Sequence, residues 1–384
     1  MFAPFDESEE MAMFRDTVRR FADGEVAPLA ERIEREDRVP DELIARMGEM
    51  GLLQIAVPEE YGGPGGNIEM TCVAKEEIAR HSAAASHYVG ATSIAMALPI
   101  AAFGTKAQKD RYLPEVATGK IVSAIALTEP QTGSDVSGIK TSARRDGGDW
   151  VIKGQKVYIT KAAKADYILT FARTSDDPYK GISSFIVPGK SKGLEIAKGS
   201  EKLGLRGVDN NTVFFDDVRV PAENLLGEEG RGFLNAMTVL NFNRPTVGAA
   251  AVGVAQGALD AAIAYARERV QFGRPIADFQ AIQHMLADMA IQIQAARGLV
   301  REAARVSDAR GDMKKISTMS SMAKTFASDM CMKVTIDAVQ IFGGAGFFKD
   351  HSVERMMRDA KIFQIYEGTN QIQRNIIAKN ILAQ

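Results

Sequence analysis

The sequence is poor in cysteine, tryptophan and histidine, with two, one and four of them among 384 residues. Each scarcity excludes something. Cys72 and Cys331 lie far apart, in stretches of helical character among small or apolar neighbours, which predicts buried free thiols rather than a disulfide. His81, His87, His284 and His351 do not combine with cysteine or carboxylate at metal-ligand spacing, so no metal is expected. The net charge is only −2, too small for a field that would draw the chain to nucleic acid or to an anionic membrane. No Lys/Arg cluster carries interleaved aromatics, which leaves nucleic-acid binding without support. The longest apolar stretch, 245–255, is rich in Gly and Ala and shorter than the roughly 20 residues a bilayer span takes. The first ten residues are acidic and lack an apolar h-region, unlike a secretory signal or a transit peptide. These features predict a cytoplasmic protein, with a mature organellar matrix enzyme as the alternative.

What remains is ordinary for a globular chain, 46% hydrophobic and 25% charged, with length enough for two or three domains. Met11, Phe14, Val18 and Phe21 step by three and four, and Leu43, Met47, Met50 and Leu53 repeat the pattern, so the first third reads as amphipathic helix. Helix is expected again from Met70 to about Ala102, and over Lys106–Tyr112 up to Pro114. The pattern changes near Lys120. A β-rich run covers 121–127, and 150–160 reads as two alternating stretches with a hairpin turn at Gly154-Gln155. Further short strands are expected at 167–172, 183–187, 193–196 and 212–216, which suggests a small barrel or sandwich. Helix returns after Gly227, with stripes at Ile282, Met285, Met289, Ile293, Ala296 and Val300, and at Met319, Met322, Phe326, Met330, Val334, Ala338 and Ile341. Long helices with few breakers fit an antiparallel bundle. The fold class is therefore mostly α with a middle β domain, with boundaries expected at 1–120, 121–228 and 229–384.

The 34 glycines invite a search for dinucleotide motifs, and none has the required setting. Gly62–Gly66 and Gly227–Gly232 lack the strand-to-helix context, and Gly343-Gly344 follows a helix rather than opening one. Any cofactor must be held in another way.

Several segments, taken in chain order, carry a specific resemblance: Leu127-Thr128-Glu129-Pro130 with Gly133-Ser134-Asp135-Val136; Gly154-Gln155-Lys156 running to Tyr158-Ile159-Thr160; Lys202 to Gly207; Asp217 to Pro221; Arg269 with Gln271-Phe272-Gly273; Asp278-Phe279-Gln280; Gln340-Ile341-Phe342-Gly343-Gly344; and Arg358 to Lys361 leading into Ile365-Tyr366-Glu367-Gly368-Thr369-Asn370-Gln371. Together they resemble the acyl-CoA dehydrogenase family, with medium-chain and short-chain members most similar. The resemblance implies an N-terminal α domain, a middle β-barrel domain and a C-terminal four-helix bundle. It also implies FAD bound without a Rossmann fold, a 2-enoyl-CoA product, and electron-transferring flavoprotein as acceptor. A homo-oligomer follows too, a tetramer in which a neighbouring subunit completes each FAD site.

By the same resemblance Glu367 is the base that removes the substrate α-proton; as an isolated residue it would pass for an acid at the start of a helix. The alternative base position of other branches is Asn243 here, which cannot act as a carboxylate. Ile125, Ala126, Leu127, Thr128, Gly133 and Ser134 correspond to the loop along the flavin ring. Tyr158, Ile159 and Thr160 correspond to the strand behind it, with Tyr158 where Trp is frequent. Arg269, Gln271, Phe272, Phe279, Gln280, Gln340, Ile341, Phe342, Gly343 and Gly344 correspond to pyrophosphate and adenosine contacts, and Thr369, Asn370 and Gln371 to further FAD contacts. Ser134, Asn241, Asn243, Arg244, Tyr366 and Gly368 correspond to substrate contacts, although Asn241 replaces an acid. The acyl pocket is expected along 87–98, small and apolar and suited to an uncharged acyl group. His87 and Tyr88 are expected to pack, or else to touch a polar or cyclic acyl group. Ser86 stands where the glutaryl-specific branch has Arg, and the absence of that Arg argues against decarboxylating glutaryl-CoA dehydrogenation. A flavin oxidase of the same fold and a non-enzymatic acyl-binding or assembly relative are the competing functions. The chain ending at Gln384 favours the dehydrogenase, because oxidases often carry an added domain.

Overall fold

The computed structural model describes residues 7–383. Met1–Asp6, within the N-terminal segment read above, lie outside the described residues, as does Gln384. The chain begins with helices α1 (Glu9–Phe21), α2 (Ala30–Glu36), α3 (Asp41–Glu49), α4 (Ile68–Ala79), α5 (Ala83–Ser86), α6 (Leu98–Phe103) and α7 (Lys106–Ala117). Ser8 caps α1 by accepting from the Met11 N–H at 3.2 Å, with Glu9 and Glu10 in the first turn and Arg19 and Arg20 in the last, as the helix dipole favours. The single helix expected from 70 to 102 is broken instead, between α4 and α5 and again around Gly90, whose φ is 62°. Helix α7 does not stop at Pro114 but runs through it. The proline is exposed, so the carbonyl that loses its partner can reach water.

Strands follow: β1 (Ser123–Ala126), β2 (Ser142–Asp146), β3 (Asp149–Thr160), β4 (Tyr167–Arg173), β5 (Ile182–Pro188), β6 (Leu194–Lys198) and β7 (Asn210–Pro221). The hairpin expected at Gly154-Gln155 is not there, because β3 is continuous. The turn lies earlier, at Gly147-Gly148 between β2 and β3, with Gly147 at φ 63°. Gly154 marks a register shift against β7, and a Cβ there would sit 2.5 Å from Thr141 Oγ1. A glycine inside a strand signals a bulge or close approach as readily as a turn. The strand order is β1-β4-β2-β3-β7-β6, with β5 on the other edge of β4. Ala124, Ile168, Phe185 and Val187 meet Trp150, Ile152, Val213 and Phe215 in one core. The sheet therefore curls round that core, and among the described residues no ladder joins β6 to β1 or β5.

The last part holds α8 (Gly232–Glu268), a short hairpin of β8 (Val270–Gln271) and β9 (Arg274–Pro275), then α9 (Gln280–Asp308), α10 (Met313–Phe342), α11 (Ser352–Phe363) and α12 (Asn370–Leu382). Helices α8 to α11 form the four-helix bundle and α12 lies along α10. Helix α8 exceeds the apolar stretch expected, and is long and apolar enough to cross a membrane, yet 78% of its apolar window is buried inside the protein. Its Gly and Ala content has a packing cause. A Cβ at Gly253 would lie 2.2 Å from the Glu76 carbonyl, and one at Gly257 2.1 Å from that of Arg80, so α4 rests directly on the α8 backbone. Cys72 on α4 and Cys331 on α10 are buried free thiols, as expected.

Candidate active site

Between α11 and α12 the chain makes a tight turn with Glu367 at φ 57° and Gly368 at φ 87°. A left-handed non-glycine residue is disfavoured, so surrounding contacts must hold it. Gln373 Nε2 donates to the carbonyls of Glu367 (3.0 Å) and Gly368 (2.9 Å). Lys324 Nζ donates to the Gly368 carbonyl at 2.9 Å and to Asn370 Oδ1 at 2.8 Å. Asn370 in turn donates to Ser328 and Asp329 on α10, and Arg244 Nε reaches the Glu367 carbonyl at 3.4 Å. Both carbonyls thus face donors of the bundle. The Glu367 N–H donates to no group among the described residues.

The side chain of Glu367 also has one uncommitted oxygen. Its Oε2 is buried and accepts no hydrogen bond. Burial pushes the carboxyl pKa up, and the opposing pull of Arg244, of the Asn243 amide, of Lys75 and of Lys324 does not cancel it. A carboxylate desolvated in this way is a stronger base than one in water. Burial also lowers Arg244 to about 10 and Lys324 to about 8, each partly restored by the Glu367 charge. His87 lies across from this turn, its ring stacked on Tyr366 with centroids 6.1 Å apart. Burial, then the charges of Lys161 and Lys75, hold its pKa well below the ordinary value, so the imidazole is neutral.

The residues expected to contact FAD fall into separate groups. Thr128 and the end of β3 are adjacent, joined by the Val157 N–H to the Thr128 carbonyl at 2.9 Å. Ala126 and Ile159 are buried in the β core, so only their backbones are available to a ligand. Ile125, Leu127 and Thr160 are half-buried, and Tyr158 is 74% exposed at φ 61°. Gly133 and Ser134 are exposed on the following loop. Thr369, Asn370 and Gln371 belong to the Glu367 turn and the start of α12. Asn241, Asn243 and Arg244 are buried on α8 beside that turn, and Asn241 Oδ1 accepts from Arg244 Nη1.

Arg269, Gln271, Phe272, Phe279, Gln280 and Gln340 to Gly344 gather at the far end of the bundle, where Tyr265 stacks on Phe342 at 4.1 Å. Arg244 and Arg269 are separated by about 37 Å along α8 at the rise of an α-helix. One chain therefore cannot bring this group to the same small region as Glu367. Part of the group is open to solvent. Arg269 has no ion-pair partner among the described residues, Phe272 is 94% exposed on the β8–β9 tip, and a Cβ on Gly343 or Gly344 would meet nothing within 4 Å. A free guanidinium, an open aromatic ring and bare backbone suit the pyrophosphate and ring systems of a dinucleotide. A separate cavity of about 770 Å³ is lined by Glu34, Arg80, His81, Arg206, Asp260 and Arg355; none of these is in the expected site set.

Two residues that support the site had no role in the sequence reading. Lys156 on β3 is fully buried, pairs with Glu129 Oε1 at 2.8 Å and donates to the Leu127 carbonyl at 3.0 Å. Glu129 also accepts from the backbone N–H groups of Lys140 (2.6 Å) and Thr141 (2.9 Å). The pair therefore fixes the loop that carries Leu127 and Thr128. Both residues lie inside the motifs quoted above, but their pairing spans 27 positions and no local pattern reveals it.

Family profiles match along nearly the whole chain: Acyl-CoA dehydrogenase, N-terminal domain at residues 8–120, middle domain at 124–218 and C-terminal domain at 230–382. An acyl-CoA dehydrogenase of Bacillus subtilis (strain 168) is 46% identical, over 98% of this chain and 98% of its own. The structure of butyryl-CoA dehydrogenase from Megasphaera elsdenii is similar at a TM-score of 0.95 and 37% identity, covering 99% of this chain and 100% of that one. A chain solved in work on the electron transferring flavoprotein of Acidaminococcus fermentans and flavin-based electron bifurcation has a TM-score of 0.96 and 42% identity, with 100% of both chains covered.

Proposed function

Because this chain belongs to the acyl-CoA dehydrogenase family, we propose that it oxidises an acyl-CoA thioester to the 2-enoyl-CoA with Glu367 as the base. The observation that carries this reading is the Glu367 turn. It presents a buried, unpartnered carboxylate oxygen and an uncommitted backbone N–H side by side. An α-proton is weakly acidic, so its removal needs the developing enolate stabilised while a base accepts the proton. The Glu367 N–H can donate to the thioester oxygen, and Oε2 can take the proton from Cα. FAD, when bound, supplies the acceptor for the hydride leaving Cβ. Buried Arg244 and half-buried Tyr366 and His87 flank the turn and limit water there, which strengthens both interactions.

The residues that would hold FAD come from two copies of the chain. Thr128, Tyr158 and Thr160 of one copy lie on the side of His87 and Glu367. Arg269, Phe272, Phe279, Gln280, Gln340 and Gly343 of another would close over the rest of the cofactor, since their distance from Arg244 excludes them within one chain. A homo-oligomer, a tetramer built as a dimer of dimers, satisfies this requirement. Electron-transferring flavoprotein is the proposed acceptor, supported by the likeness to a chain solved in work on an electron transferring flavoprotein. The test is the absorption spectrum of the protein after FAD reconstitution, followed under argon with a panel of acyl-CoAs. A flavin band that bleaches with at least one of them is expected. A protein that takes up no flavin, or whose flavin no acyl-CoA reduces, would refute the reading.

A further inference from the structure

The cavity of about 770 Å³ has the size of a small-molecule site. It lies between α2, the end of α4, the later half of α8 and the segment 349–356 that opens α11. Gly257, in its lining, stands about 20 Å from Arg244 along α8 at the rise of an α-helix, so the cavity is separate from the Glu367 turn. Part of the lining is small and apolar: Ala27, Ala30 and Ala261, beside Gly257. Such a surface accepts a compact apolar body. The rest of the lining is ionic, and its charges are not all paired.

The less exposed acids of the lining are committed. Glu34 pairs with Arg358 at 2.9 Å, Glu354 with the same guanidinium at 2.7 Å, and Asp260 with Arg80 at 2.9 Å. The other two, Glu31 and Asp350, are exposed. Arg355 is different. It is 9% exposed and lines the cavity, yet no carboxylate among the described residues comes within 4 Å of it. Its Nη1 and Nη2 donate only to the main-chain carbonyls of Ala30 and His81, each at 3.2 Å, which leaves donors of the guanidinium unused. Asp359, one turn further along α11, accepts from the Leu205 N–H instead. Arg80, also in the lining, has a buried Nε with no acceptor. A buried cation held by neutral carbonyls alone is costly unless an anion offsets it. Two weaker features have the same sign. Lys349 has no ion-pair partner among the described residues, and no side chain caps the start of α11 at Ser352.

We propose that this cavity is a further binding site, for a small organic anion whose carboxylate or phosphate group meets Arg355 and whose apolar body lies on Ala27, Ala30 and Ala261. The oxyanion supplies the counter-charge that Arg355 lacks and accepts from the donors its guanidinium leaves unused. A bare inorganic anion would fill only a small part of the volume, so the ligand carries a body as well as a charge. The site does not depend on the reaction proposed at Glu367, and its failure would leave that reading as it stands.

The test titrates the FAD-loaded protein by calorimetry, in a buffer without phosphate, with phenyl phosphate and with benzoate. Each joins an oxyanion to an apolar ring, and the tighter of the two tells a phosphate site from a carboxylate site. Saturable binding of at least one of them is expected. Inorganic phosphate, which lacks the ring, and benzyl alcohol, which lacks the charge, should each bind weaker by on the order of tenfold or more. Excess coenzyme A should not displace the ligand, and FAD should stay bound. Arg355→Met should weaken binding about tenfold or more. Ala261→Phe fills the cavity and leaves every charge in place, so it should block binding with little change in melting temperature; it decides the matter if the loss of Arg355 prevents folding. Absence of binding by both aromatic anions would overturn the proposal. Binding that survives Ala261→Phe, that coenzyme A displaces or that releases FAD would also overturn it, by placing the ligand elsewhere. Inorganic phosphate binding as tightly as phenyl phosphate would reduce the site to an adventitious ion only, and would overturn it too.

Discussion

The buried pair of Glu129 and Lys156 offers a sharp test of how the loop at Leu127 and Thr128 is held. Glu129 is 3% exposed and Lys156 fully buried; the carboxylate accepts from Lys156, from the backbone of Lys140 and Thr141, and from Gln131 Nε2 at 2.7 Å. Removing one partner of a buried ion pair leaves the other uncompensated and costs about 3–5 kcal/mol. Glu129→Gln and Lys156→Met should each lie in that range. The double variant should lose at least about 2 kcal/mol less than the sum, because neither charge is then stranded. The assay is built into the chain. Its one tryptophan, Trp150, stands 2% exposed in the β core on the same strand as Lys156, so urea unfolding followed by its fluorescence reports this region. Stability should also depend on pH. Burial raises the Glu129 pKa, but the Lys156 charge and the hydrogen bonds outweigh it and hold the group below 4.5, its ordinary value. A depressed carboxylate contributes stability above its unfolded pKa and loses it as pH falls through the folded one. The parent should therefore weaken below about pH 4.5 more steeply than Glu129→Gln. Single-variant losses that add within about 0.5 kcal/mol would refute the pairing argument.

Gly368→Ala should lower kcat about tenfold or more with a small change in melting temperature, because φ is 87° and the new Cβ would sit 2.6 Å from Gln373 Nε2, displacing the clamp on the turn; steady-state kinetics beside calorimetry checks it, and an unaltered kcat counts against the clamp. Arg269→Ala should weaken FAD retention severalfold without slowing flavin bleaching in the fully loaded protein; a holo, active monomer by light scattering at micromolar concentration would defeat the two-copy site behind this expectation. Acyl-CoA-dependent turnover should be fast with electron-transferring flavoprotein and slow with oxygen, and peroxide formed at the same rate as turnover with that partner would point to an oxidase.

The order of elements was legible because it rests on local periodicity. The stripes from Met11 to Phe21 and from Ile282 to Val300 place their helices correctly, and the short alternating runs place every strand of the sheet but β2, which was not expected. What failed depends on contacts that no window contains. Gly154 was read as a turn when it accommodates Thr141 across a bulge. Pro114 was read as a helix end when its exposure lets the helix continue. The position of Glu367 was visible only through the family motif around it, since an isolated Glu before a helix carries no catalytic signal. The clamp formed by Gln373, Lys324 and Arg244 joins α8, α10 and α12. Such juxtapositions arise from tertiary packing and leave no trace in spacing.

The most direct test of the account is Glu367→Gln, read by anaerobic stopped-flow bleaching of bound flavin with the best acyl-CoA substrate. Gln keeps the shape and the backbone N–H but cannot accept the α-proton, and Asn243 offers no second carboxylate nearby. A positioned base contributes roughly 10²–10⁴-fold, so bleaching should slow by at least about 10³-fold while FAD and acyl-CoA still bind. A variant that reduces its flavin within about tenfold of the parent rate would show that another group removes the proton and that the central assignment is wrong.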